Sequence, residues 1–279
     1  MGGLVLSYGL RNRAREIFQG LLDDKNNAVT VHNRAWLYLA KISYQRGDLA
    51  GALQAIQHID GKMKPATRTA TANLHSLLLL EQGRNAEAIE LLEQTRSGKH
   101  WTPYLKYNLG IAQIRNGEQD RGIQELDSIA SRTGRTSERN LLSDKASLAL
   151  GYSFLQTGET EKSRLALEQV RLEGPLSNKA LLGAGWASAD ADNYRQALVP
   201  WTELSRRDPA DPAVQESLLA VPYALTRMKR FGRAGQAYKQ GIDTRTNEQR
   251  NQDASIAAIR DGQLLRHLQQ HASCTGDGG

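Results

Sequence analysis

Cysteine is nearly absent from this chain. Cys274 is the single thiol in 279 residues, which excludes an internal disulfide framework and a Cys-based structural zinc site. It leaves the compartment open. Aromatic residues make up 6% of the chain, and no stretch alternates apolar with polar residues in the manner of a strand. The densest aliphatic run, Leu77-Leu78-Leu79-Leu80, falls far short of the roughly 20 residues that cross a bilayer, so no transmembrane segment is expected. Phosphate loops of the G-x-x-x-x-G-K-[ST] type, G-x-G-x-x-G turns after a strand and G-x-S-x-G elbows are all missing. Six histidines are scattered, and only His267 and His271 share helical spacing. No carboxylate completes a ligand set around them, and Cys274 in the tail lacks an activating neighbour. These absences predict no catalytic residues, no metal, no cofactor and no enzyme activity.

Charge is moderately one-sided. There are 36 Lys and Arg against 30 Asp and Glu, a net +6 with a pI near 9.4. A solvated basic surface accounts for this balance. Nucleic-acid or other polyanion binding is the alternative, disfavoured, and it implies an affinity that falls steeply with salt.

What the chain has is Ala, Leu, Gln, Glu and Arg, a composition that favours helix. The stretch from Lys106 to Leu126 shows how that helix is used. Tyr107, Leu109, Ile111, Ala112 and Ile114 form one apolar helix, Asn116-Gly117-Glu118 breaks it, and Ile123, Leu126 and Ile129 form the return helix. Such a hairpin cannot bury its apolar face alone and predicts further copies. They are found by a small residue on each second helix: Ala14, Ala52, Ala88, Gly122, Ser163, Ala197 and Ala234, spaced by 38, 36, 34, 41, 34 and 37. Four positions later stands a large apolar group every time: Phe18, Ile56, Leu92, Leu126, Leu167, Trp201 and Tyr238. Five positions before it stands a turn glycine in copies one to five, Gly9, Gly47, Gly83, Gly117 and Gly158. Copies six and seven carry Asp192 and Lys229 there and depart from the pattern. Gly183-Ala184-Gly185 reads as close packing within copy six.

The longest interval contains the polar, basic stretch 131–140, read as an inter-repeat loop. Pro200 and Pro222 fall inside predicted helices, where each removes a donor and predicts a kink or irregularity. After Gly241 the repeat stops. The expected organisation is an array over 1–246 with its first hairpin short at the start, a capping or docking helix over 247–270 and a disordered tail over 271–279. The short first hairpin predicts a leader or earlier repeats before Met1.

Taken together, the hairpins resemble the tetratricopeptide (TPR) repeat, most closely at Trp36-x-x-Leu39-Ala40 and at Asn108-Leu109-Gly110-x-Ala112. The resemblance covers residues 1–245 and implies an all-α, right-handed α-solenoid whose first helices line a concave groove. The groove positions it assigns run aromatic and basic toward the C-terminal half: Tyr104, Tyr107, Ile111, Arg115, Lys145, Tyr152, Lys179, Trp186, Tyr223 and Arg227. Aromatic and cationic side chains suit an extended segment with apolar and acidic groups, although Tyr and Trp at helical spacing also serve plain inter-repeat packing. TPR modules that grip a C-terminal carboxylate carry a K-x-x-x-N pair, and Leu37 and Lys41 stand where it would fall, so that activity is disfavoured. The expected function is a non-catalytic scaffold for a protein or peptide partner; self-association of exposed ends is the other structural alternative. Segments such as SNKALLGAGWA and DPAVQESLLAVPYAL resemble exported proteobacterial TPR proteins, which implies a periplasmic location and an envelope assembly, with the cytoplasm as the alternative.

Overall fold

The computed structural model describes residues 8–24, 26–96, 102–131 and 136–261. Among them are thirteen α-helices and no strand. Helix α1 (Arg11–Asp23) is the second helix of the first hairpin. Six complete hairpins follow: α2 (Val29–Gln45) with α3 (Leu49–Gln57), α4 (Pro65–Glu81) with α5 (Asn85–Arg96), and α6 (Pro103–Arg115) with α7 (Gln119–Ala130). Then come α8 (Ser137–Gln156) with α9 (Thr160–Glu168), α10 (Ser177–Asp190) with α11 (Tyr194–Leu204), and α12 (Pro212–Arg227) with α13 (Phe231–Arg260). The fold is an α-solenoid. It divides within α8 into two compact units, Met1–Leu150 and Gly151–Gly279.

Local chemistry starts and stops these helices. Asp48, Thr102, Asn193 and Asp211 accept a backbone N–H from the first turn of α3, α6, α11 and α12, satisfying donors that a helix start leaves orphaned. Pro65, Pro103 and Pro212 occupy first positions, where no amide hydrogen is needed. Every hairpin turn closes the same way. The N–H three residues past the helix end donates to a carbonyl five residues earlier: Asp48 to Ser43, Arg84 to Leu79, Glu118 to Gln113, Glu159 to Phe154, Asn193 to Ser188 and Arg230 to Leu225. This closure needs a left-handed residue between. The five turn glycines have φ between 71° and 86°, and Asp192 and Lys229 hold the same conformation at 56° and 59°. Copies six and seven therefore depart in residue and keep the geometry, at a cost of about 1–2 kcal/mol for a side chain in that region.

The repeat register is also the packing register. All seven small residues are buried, and so are the large groups from Phe18 to Trp201. Tyr238 departs: it is 40% exposed, because no further hairpin among the described residues covers it. In the first unit Phe18, Ile42, Ile56 and Leu78 belong to one core, and Leu92, Leu105 and Leu109 to a second. In the second unit Leu182, Ala197, Trp201, Leu204 and Val214 form the core. Buried and half-buried polar side chains fasten one repeat to the next. Asn33 donates to the carbonyls of Asp60 and Lys62, Asn108 donates to Asn73 and Ser76, and Asn178 donates to Asp211.

Three features locate the close approaches. Gly122 faces Gly110 so tightly that a Cβ would stand 2.6 Å from the Gly110 carbonyl oxygen. Gly185 opens the space that the Trp201 indole fills, with its N–H on the Leu182 carbonyl at 3.1 Å. Gly241 lies against the Leu218 carbonyl, the acceptor that Pro222 leaves without its helical donor. Neither Pro200 nor Pro222 interrupts its helix. Nor does anything break α13 at residue 246: with no Gly or Pro between Ile242 and Arg260, the second helix of hairpin seven runs on to Arg260. Residues 262–279, with the tail and the remainder of the expected capping helix, lie outside the described residues, as do 132–135 of the basic stretch and the first seven residues; 137–140, expected in a loop, form the first turn of α8.

Two outcomes follow for stability. Gly122→Ala places alanine where other copies carry it, yet it should lower stability by about 1–3 kcal/mol through overpacking, read as a fall in Tm. Lys229→Gly should raise stability by about 1 kcal/mol. Asp192→Gly should raise it less, because Asp192 also accepts from Tyr194 and pairs with Arg227.

Candidate functional site

Within each unit the first helices of successive hairpins pack side by side, α2 on α4, α4 on α6, and α10 on α12. Residues at matching positions on these helices therefore share a face. Five of the ten predicted positions lie in the first unit. Tyr104 donates its hydroxyl to Glu138 at 2.6 Å. Burial, the hydrogen bond and the charge of Glu138 push its phenol up to about 12. Tyr107 is half-buried; burial raises its pKa and the Arg115 charge offsets part of the rise. Ile111 packs against the core. Arg115 donates to the Leu80 carbonyl near the end of α4 at 3.2 Å, which ties part of its guanidinium to structure. Lys145 is exposed.

The second unit brings more together. The Tyr152 hydroxyl donates to the Lys179 carbonyl at 2.9 Å, and burial, with the Glu216 charge behind it, raises its pKa. The Lys179 side chain is exposed. Trp186 stands edge-on to buried Trp201 at 4.9 Å between ring centroids. Its indole N–H donates to Glu216 at 2.7 Å. Tyr223 lies 6.1 Å from Trp186 and 6.0 Å from Tyr194. Arg227 lies over the Tyr194 ring at 5.2 Å and pairs with Asp192 at 3.6 Å, while Tyr194 donates to that same carboxylate. Burial and this hydrogen bond raise the Tyr194 pKa.

Trp186, Tyr223 and Arg227 thus form one patch, and Tyr194, Asp192 and Glu216 join it. These three were not among the sequence candidates for the site. The available signal for Asp192 was its place at a turn where five copies carry glycine: a carboxylate kept in a left-handed turn is positioned at a cost. Tyr194 follows it by two residues, at the start of the return helix rather than on a first helix. The two carboxylates also change the electrostatics. Arg227 is already paired, so the patch offers aromatic faces rimmed by both signs rather than a purely cationic surface. Trp186 and Tyr152 are part packing and part surface, whereas Tyr223 and Arg227 are exposed. Among the described residues no group of three His, Cys, Asp or Glu side chains is placed to share a cation, and no helix is long and apolar enough to cross a membrane. His267, His271 and Cys274 lie outside the described residues. On the other side of α10, an apolar hollow of about 490 Å³ opens between α9 and α11, lined by Leu167, Leu172, Leu181 and Val199.

Hairpins that share one turn geometry and present a common face define a helical-repeat scaffold. The family model described as Tetratricopeptide repeat matches residues 9–62 and 148–212, so these two segments carry tetratricopeptide repeats, a fold that typically serves as a non-catalytic scaffold for protein interaction. The HTH-type transcriptional regulator MalT of Vibrio campbellii is 29% identical over 136 residues, 46% of this chain. The chain spans only 15% of that relative's length. Two solved structures share the fold. MamA from Desulfovibrio magneticus has a TM-score of 0.51 at 17% identity, covering 64% of this chain and 96% of its own. The TPR-like repeats of a Podosopora anserina kinesin light chain have a TM-score of 0.52 at 17% identity, covering 68% and 100%.

Proposed function

We propose that this protein holds a segment of a protein partner against the face of its first helices, with the Trp186–Tyr194–Tyr223 patch as the principal contact. The observation that carries this reading is the patch itself. Three aromatic rings are held at fixed mutual angles by Trp201, Glu216 and Asp192, and Tyr223 remains 37% exposed. Rigid, partly exposed aromatics lose little entropy on binding and are enriched among residues that dominate interface energies. Arg227, already held by Asp192 and stacked on Tyr194, adds an oriented cation for an acidic or carbonyl group. In the first unit Tyr104, Tyr107, Ile111, Arg115 and Lys145 serve the same role on the corresponding face. Tyr152 and Lys179 extend the second unit's contact. In this reading residues 1–246 are the array and 247–270 a cap or docking helix, and the partner belongs to a bacterial envelope assembly reached in the periplasm.

The test is photo-crosslinking from position 223 in cells. A photoreactive phenylalanine analogue there should capture a defined polypeptide, while the same analogue at Val199, on the other side of α10, should not. Tyr223→Ala with Arg227→Ala should then weaken binding of the captured partner at least about tenfold with helical content unchanged. Equal capture from position 199, or full affinity in the double variant, would overturn the assignment.

A further inference from the structure

The last helix outruns its hairpin. Helix α13 has 30 residues against 16 in α12, so it is about 45 Å long beside a partner of about 24 Å. Its buried residues are Ala234 and Gly241, and none lies beyond Gly241. A polar helix of this kind gains little from propensity alone, since helices in proteins owe most of their stability to packing.

One stripe of the uncovered surface has a particular order. Tyr238, Ile242, Arg245, Gln249, Asp253, Ile256 and Arg260 follow one another in steps of three and four, which keeps them on one helix face. All seven are exposed. The order is complementary to its own reverse. Placed antiparallel about Gln249, a second copy sets Ile242 against Ile256, Arg245 against Asp253, and Tyr238 against Arg260, twice each. Glu248 and Arg250, beside the stripe, meet in the same register, and the stem of Lys239 meets Ile259. Among the described residues neither Arg245 nor Asp253 has an ion-pair partner within its own chain.

We propose that two copies of this chain associate through α13 as an antiparallel pair centred on Gln249. The array supplies the reason for the direction. In the earlier repeats the large group four residues after the small one is buried, and the helix that follows runs back along its predecessor. Tyr238 holds that position in the last repeat and is left open. In the pair, the overhanging end of one copy's α13 lies across Tyr238 and Ile242 of the other, as the next helix of the array would. The occupant is thus a second copy, chosen by the self-complementary charge order, and the interface is isologous. This inference is independent of the groove reading.

The full-length chain should sediment at twice its 30.8 kDa at micromolar concentration. Arg245→Asp sets Asp against Asp, and Asp253→Arg sets Arg against Arg. Each should weaken the dimer about tenfold or more, since facing like charges carry a large penalty. Arg245→Asp with Asp253→Arg in one chain should restore it, and so should mixing the two single variants. Direction is read by disulfide crosslinking in a Cys274→Ser background: Ile242→Cys should crosslink to Ile256→Cys in a mixture, and neither to itself. A monomer at every concentration, a dimer indifferent to the single charge reversals, a swapped chain that stays monomeric, or self-crosslinking of either cysteine variant would overturn the proposal. Because all four positions are exposed, unchanged circular dichroism is expected throughout.

Discussion

Everything in this protein depends on one closure, the hydrogen bond that ends each first helix. An amide three residues past the helix end reaches back to a carbonyl five residues earlier, and it does so only if the residue before it turns left-handed. That single torsion sets where the return helix starts and at what angle it leaves. The small residue five positions on then meets the first helix at close range, and the large residue four further on packs against that same helix, as Leu126 does at Gly110 and Trp201 at Gly185. Because six hairpins share the bond, they share a register, and a register repeated is a solenoid. Copies six and seven show how strict the requirement is. They keep the bond with aspartate and lysine in a conformation that disfavours both.

The aromatic patch is a by-product of that register with one local addition. First helices that all leave their turns alike place equivalent positions side by side, so Trp186 on α10 and Tyr223 on α12 meet. The addition comes from the turn itself. Asp192 stands where a glycine would be easier, and its carboxylate orients both Tyr194 and Arg227. A residue that relaxes the backbone would leave the tyrosine hydroxyl and the guanidinium without their common anchor. Structural strain and a candidate contact surface are thus linked at one position.

The repeat explains its own ends as well. A hairpin in the middle of the array has both faces covered, while the last among the described residues has one open. Tyr238 carries the same index as buried Trp201, yet it is exposed: Trp201 packs on Gly185 of its own hairpin and shares a core with Val214 of the following one, and among the described residues no following hairpin covers Tyr238. The long run of α13 past α12 extends the problem along the helix, where Ile256 and Ile259 add apolar surface to a polar segment. A second copy that supplies the missing helix resolves both.

Hairpin number, hairpin phase and helical class were legible in the sequence, because small, large and turn residues recur at offsets set by helix geometry, which is a local property of the chain. The ten candidate positions came from the repeat resemblance, which names equivalent positions and not contacts. Tertiary structure alone decided what each was doing. Arg115 caps a neighbouring helix end and the Tyr152 hydroxyl bonds a backbone carbonyl, because those partners come from other repeats, 35 and 27 residues away. Tyr194 entered the patch through a contact that no spacing rule encodes, and Glu216, at the index of Lys179, through its hydrogen bond from Trp186. Gly122 and Ala52 share an index, yet only Gly122 faces a carbonyl that excludes a methyl group. Periodicity specifies which residues are equivalent along the chain. It takes the packed neighbours to specify how far that equivalence extends, since distance and hydrogen-bond direction are set by two chain segments and a pattern describes only one.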